Sequence, residues 1–172
     1  MSDLRVLIMM GSDSDLKVMS EAARVLSKLE IGYEVVVTSA HRSPARTVEI
    51  VEQAPGRGVR VFIVGAGAAA HLAGVVSAHT TYPVLGVPLA SSDLQGLDAL
   101  LATVQMPAGI AVGCLAIGKA GAANAAWLAA SILSTSDDRL AERLPAERKA
   151  MADKVAAKSE AAQATLRELL DS

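Results

Sequence analysis

Aromatic side chains are nearly missing from this chain of 172 residues: Tyr33, Phe62, Tyr82 and Trp127 amount to 2% of it. Yet 52% of the residues are hydrophobic, with Ala and Val prominent. Small side chains allow close backbone and helix packing, but each buries little area, at roughly 25 cal/mol per Å². Such a chain is expected to gain stability from contacts with other subunits. Cysteine is scarce too. Cys114 stands alone, which excludes an intrachain disulfide, and its apolar neighbours suit a small buried hydrophobe in a reducing compartment. Charge of neither sign is in excess: 16 Lys and Arg face 18 Asp and Glu, for a net charge of −2. That leaves no basic footprint for nucleic acid, while a local cationic pocket for a small anion stays open. No apolar run is long enough for a membrane span, since the least polar stretch, 104–133, is interrupted by Pro107, Lys119 and several glycines. No basic-then-apolar signal pattern opens the chain, where Asp3 and Arg5 flank short runs. Cytoplasmic residence is the resulting expectation.

What the chain does contain is a repeating alternation. Leu4–Met10 is a continuous apolar run ending at Gly11, the pattern of a strand buried on both faces. Over 14–29, Leu16, Met19, Ala23, Leu26 and Leu29 recur at three- and four-residue spacings, a helix stripe. Further strands are expected at 35–38, 59–64, 83–87 (stopped by Pro88) and 111–117, with helices at 44–54, 70–78, 94–104 and 120–133 between and after them. Ser43-Pro44 reads as an N-cap followed by Pro at the first helical position. Strand–helix alternation with short connections predicts an α/β fold: a parallel sheet with helices on both faces. The length fits one domain, 1–172. The last segment, 137–170, is charged, with Leu144, Met151, Val155, Ala162, Leu166 and Leu169 at helical spacings. A long C-terminal helix with an apolar stripe needs cover, and a neighbouring subunit would provide it.

In open parallel sheets, ligands bind beyond the carboxyl ends of the strands. The polar residues at those ends are therefore the informative ones. Ser12, Ser14 and Asp15 follow the first strand; the segment serves equally as a helix cap or an anion site, because free amides and the helix dipole favour both. Asp15 would repel phosphate but suits ribose hydroxyls as an acceptor. Ser39, His41 and Arg42 follow the second strand. Arg42 offers a planar fork of donors for phosphate or carboxylate, and imidazole exchanges its proton near neutral pH. The third strand ends in Gly65-Ala66-Gly67-Ala68-Ala69-Ala70-His71. A dinucleotide fingerprint would place an acidic residue at the end of the next strand, where this chain has Val87-Pro88. The better reading is a backbone surface on which a flat ring lies close, with His71 beside it. No metal-ligand spacing, nucleophile elbow or Walker loop is present.

Taken together, MGSDSD (10–15), SAHRSP (39–44), GAGAAAHLAG (65–74), PVLGVP (83–88), VQMPAGIAVG (104–113) and AIGKAGAANAA (116–126) resemble the N5-carboxyaminoimidazole ribonucleotide mutase family of purine biosynthesis. The resemblance implies a three-layer α/β/α fold with a flavodoxin-like parallel sheet, a homo-octamer, and neither cofactor nor metal. It implies reversible transfer of a carboxyl group from the exocyclic nitrogen to ring carbon C4 of aminoimidazole ribonucleotide. His41 would then be the general acid and base. Ser12, Ser14, Ser39 and Arg42 would hold the 5′-phosphate and Asp15 the ribose. Gly67, Ala68 and His71, with the Gln105-Met106-Pro107 turn, would enclose the imidazole and its carboxylate. A related branch carboxylates aminoimidazole ribonucleotide directly with carbon dioxide. It typically carries Lys in place of Arg42 and lacks the alanine-rich loop before His71, which favours the mutase here. Ala68 stands where Gly is common in the mutases and Ala73 where Pro is common, departures that bear on the ring pocket.

Overall fold

The computed structural model describes residues 3–171. The chain divides into two compact units, one ending at Leu133 and the other starting at Ser134. The first unit holds the strands β1 (Leu4–Met10), β2 (Gly32–Val37), β3 (Val61–Gly67), β4 (Val84–Leu89) and β5 (Gly113–Cys114). All are parallel, in the order β2-β1-β3-β4-β5. This is the flavodoxin-like order, and it follows from right-handed crossovers through the helices α1 (Leu16–Lys28), α2 (Pro44–Gln53), α3 (Leu72–Ala78) and α4 (Leu97–Val104), with α5 (Lys119–Ser134) after β5.

Strand alternation sorts the core into two layers. Leu7 and Met9 of β1, with Phe62, Val64 and Ala66 of β3, pack against Val51 of α2, Leu72, Ala73 and Val76 of α3, and Ala99 of α4. On the opposite face Met19 of α1 lies over Gly65, where a Cβ would overlap its sulfur. Lys28 stands 5.8 Å over the ring of Trp127, which sets α5 beside α1. The buried stripe of α5 is made of Gly121, Ala122, Ala125, Ala126, Ala129 and Ala130. Gly121 is obligatory there, because a Cβ would collide with the Ala116 carbonyl oxygen. The scarcity of aromatics is thus a packing solution in which small side chains bring helix and sheet backbones together.

Strand boundaries differ from those expected: β2 spans Gly32–Val37 instead of 35–38, β3 starts at Val61 instead of 59, and β3, β4 and β5 differ further for reasons set by their neighbours. β3 runs through Gly65-Ala66-Gly67 instead of ending at Val64, since glycine opposite Met19 lets the strand continue beneath α1. β4 includes Pro88 instead of stopping at it. The Pro88 carbonyl accepts the Gly118 N–H at 2.9 Å, so its backbone faces the β5 side. β5 pairs only with Leu85 and Gly86, and a missing N–H beyond them leaves no ladder partner orphaned. β5 itself is two residues long, not seven; after Cys114 only single bonds, Leu115 N–H to Gly86 and Gly118 N–H to Pro88, tie the segment to β4.

The second unit is α6 (Asp138–Leu170), of 33 residues. The Asp137 carboxylate caps it by accepting the Leu140 N–H, and Pro145 lies in its third turn, where one intrahelical bond is forgone. Val155, Leu166, Leu169 and Leu170 are each more than half exposed.

Candidate active site

The order β2-β1-β3 reverses the winding direction between β1 and β3, and opens a crevice beyond their carboxyl ends. Three loops meet there, and each is held by its own polar residues. After β2, Thr38 extends the pairing by donating its N–H to Met10 at 2.9 Å. The Ser39 hydroxyl then accepts the backbone N–H of His41 at 3.3 Å and of Arg42 at 3.1 Å, folding the chain tightly under both side chains. Its own proton stays available to a ligand. Pro44 occupies the first position of α2 as expected, yet the Ser43 side chain does not cap the helix. It accepts the Ser39 N–H at 3.0 Å and lies 3.3 Å from the Thr38 hydroxyl. Thr38 in turn meets Thr47 of α2 at 2.8 Å, both buried. This hydroxyl network anchors the His41 loop. Sequence reasoning passed over Thr47, although a Thr on the apolar side of a helix that opens beside a strand tip is a readable signal.

After β3, the loop turns through Ala68 with φ 50 and closes two short backbone bonds, Ala70 N–H to Ala68 and His71 N–H to Ala69, both 2.8 Å. Ala70 is fully buried and pins the loop from below, while Ala68 and His71 are exposed. The result is a direct contact: His41 Nε2 and His71 Nδ1 are 2.9 Å apart, with the rings 5.0 Å between centroids and nearly perpendicular at 86°. One ring must donate and the other accept, so each fixes the tautomer of its partner. A proton held at His41 Nε2 is therefore aimed at His71 Nδ1, which leaves His41 Nδ1 as the ring nitrogen not engaged by His71.

After β1, Ser12 and Asp15 form a capping box. The Ser12 hydroxyl accepts the Ser14 N–H, and Asp15 Oδ2 accepts the Ser12 N–H at 3.1 Å. The Ser14 hydroxyl donates to that of Ser12 at 2.9 Å. Burial pushes the Asp15 carboxyl above its ordinary range, partly offset by the Ser12 N–H. Asp15 thus loses solvation without gaining a cation.

His41, His71, Ser39 and Arg42 are brought together at the β2 and β3 tips, while Ser12, Ser14 and Asp15 share the β1 tip and Gly67 and Ala68 lead into His71. The Arg42 guanidinium makes no hydrogen bond or ion pair among the described residues, leaving its full fork open to an anion. The Gln105–Pro107 turn follows α4, and Met106 packs toward Gly74 in α3, the helix that His71 leads into; a Cβ on Gly74 would lie 3.1 Å from its sulfur. Among the described residues no three His, Cys, Asp or Glu side chains converge as metal ligands, and no helix is long and apolar enough to cross a membrane.

Fold and crevice together define a doubly wound α/β protein with an anion-ready, imidazole-bearing site at its switch point. Residues 5–154 match the family model described as AIR carboxylase, and the chain belongs to that family. Among its relatives, the N5-carboxyaminoimidazole ribonucleotide mutase of Escherichia coli K12 is 53% identical over 88% of this chain and 89% of the relative. The mutase of Pseudomonas aeruginosa is 55% identical over 80% and 84%. Among solved structures, PurE of Treponema denticola superposes with a TM-score of 0.78 at 28% identity, over 87% of this chain and 92% of that one. A singly substituted PurE2 from the same organism gives 0.82 at 26% identity, over 92% and 96%.

Proposed function

We propose that this chain is an N5-carboxyaminoimidazole ribonucleotide mutase, an isomerase of purine biosynthesis. The observation that carries the reading is the His41–His71 contact beside the unpaired Arg42, in a chain about half identical to curated mutases. Arg42 and the Ser39 and Ser12 hydroxyls take the 5′-phosphate, Asp15 the ribose hydroxyls, and the Gly67–His71 loop the flat ring. Binding energy from the phosphate end positions the reacting end.

The chemistry follows from an imidazole that can change protonation state. His41 as imidazolium gives its proton to the carbamate nitrogen; the N–C bond breaks and carbon dioxide is released. The enamine carbon C4 attacks that carbon dioxide, forming the new C–C bond. Neutral His41 then removes the C4 proton and restores the aromatic ring. The residue ends as it began, so the cycle takes up and releases no net proton. His71, bonded to His41, keeps the ring oriented through both steps. Carbon dioxide has to stay beside the ring between them, over the Ala and Gly backbone of the Gly67–His71 loop, because its escape would waste the intermediate.

The mutase relatives, Arg42 and the alanine-rich loop all weigh against a direct carboxylase. The two are separated by turnover of N5-carboxyaminoimidazole ribonucleotide against aminoimidazole ribonucleotide plus bicarbonate; preference for the second pair at low bicarbonate overturns the mutase reading. The reaction takes place in the cytoplasm, without cofactor or metal, in a homo-octamer. The exposed apolar faces of α4 (Leu97, Leu101, Val104) and of α6 (Val155, Leu166, Leu169) supply the surface for such an assembly. Light scattering after size exclusion tests it, and a monomer at micromolar concentration rejects it.

A further inference from the structure

We infer that Ser91, on the loop after β4, is a further substrate-binding residue of this site, its hydroxyl meeting the polar edge of the heterocycle. The inference rests on the nucleotide reading above. Gly67 pairs with Leu89, whereas β1 ends opposite Gly65 at Met10. The tips of β3 and β4 therefore overhang β1 by two residues and form a wall of the crevice. On that wall the Ser91 N–H donates to the Leu89 carbonyl at 3.1 Å, and the chain folds back over Gly67. A Cβ built on Gly67 would overlap Ser91 Oγ and lie 2.7 Å from its Cβ. The Ser91 side chain thus sits in the place a side chain at 67 would take.

Direction comes from strand alternation. Gly65 and Gly67 share a face, and a Cβ on Gly65 meets Met19 of α1. Ser91 consequently stands on the α1 side of the sheet, the side toward which the Ser12–Asp15 loop turns. Ser91 is exposed, and among the described residues its hydroxyl has no hydrogen-bond partner. An unpartnered hydroxyl at the crevice wall can accept from an exocyclic amine and donate to a carboxylate. A ring laid on the Gly67–Ala68 backbone presents both kinds of group along one edge. The glycine at 67 then has a second use besides close approach of the ring, since any side chain there would displace Ser91.

The test compares the parent protein with Ser91→Ala, which keeps the Cβ packed on Gly67 and removes only the hydroxyl. Each is titrated with aminoimidazole ribonucleotide and with ribose 5-phosphate, and assayed for interconversion of the carboxylated nucleotides. Ser91→Ala is expected to bind aminoimidazole ribonucleotide about three- to tenfold more weakly, the loss of one neutral hydrogen bond, with ribose 5-phosphate unchanged within about twofold. An unaltered affinity for both ligands, or an equal loss for both, overturns the inference while parent turnover leaves the mutase reading standing. A parent that binds neither ligand overturns the mutase reading and this inference with it.

Discussion

The two ends of the sheet both carry a histidine beside a cleft, and they differ in everything that matters for chemistry. At the amino ends, an open cavity of about 950 Å³ is lined by His79, Glu52, Tyr82, Thr80 and Ile110, among others. His79 there lies 3.9 Å from Glu52, both well exposed, an arrangement worth little in water. The Ser77 hydroxyl is already spent on the Ala111 carbonyl at 2.7 Å. At the carboxyl ends, the histidines touch at 2.9 Å, Arg42 is unpaired, and three loops converge. Room alone does not make a site; convergent polar groups with unused bonding capacity do.

The comparison breaks most decisively at His41. Replacement by Asn is expected to lower kcat by at least about a hundredfold, the usual range for a lost general acid–base, with nucleotide binding retained. Intact turnover would mean that another group carries the proton. Arg42→Ala comes next. Loss of charge-assisted bonds to phosphate should raise KM about ten- to a hundredfold with a smaller change in kcat, read from initial rates. An unchanged KM would remove Arg42 from the phosphate site. Thr47→Val leaves the buried Thr38 hydroxyl short of a partner and should cost about 1–3 kcal/mol, measured by denaturant unfolding.

Smaller effects sharpen the contrast. Ala68 holds a left-handed conformation that costs an L-residue about 1–2 kcal/mol, part of which glycine returns through its freer unfolded state. Ala68→Gly should therefore stabilise the protein by about 1 kcal/mol in the same unfolding assay. Asp15→Asn should also stabilise at neutral pH while weakening nucleotide binding. The folded-state Asp15 pKa is raised above 3.8, so its protonated form suits the fold and that stability is lost as pH rises through the raised value. Below pH 3.8 both states are protonated and the gain from Asn should vanish, a point that melting curves across this range check. Finally, His79→Ala at the opposite end should leave kcat/KM within about twofold, as for surface changes away from a site.

Much of the molecule was legible without coordinates where local pattern and final environment agree. β1 reads correctly because a strand buried on both faces needs an unbroken apolar run, and α1 because Met19, Leu26 and Leu29 of its stripe are buried, although Leu16 at its start is half exposed and Ala22 is buried in place of Ala23. Legibility failed where a neighbour decided the outcome. Pro88 stays in its strand because β5 is too short to use the missing N–H. Ser43 gives up its cap because Thr38 and Ser39 are nearer partners. Ser91 stands out in the chain only as one of two serines after the fourth strand; what singles it out is a glycine 24 positions earlier that vacates its space.

By itself the sequence determined the inventory: alternating strands and helices, polar residues at the strand tips, and one imidazole and one guanidinium side by side at His41 and Arg42. These are local consequences of periodicity and residue chemistry. Which tips adjoin was decided only by the tertiary structure. Strand order depends on handed crossovers and on side-chain fit between residues far apart, so that His71, 30 positions on, comes to rest against His41.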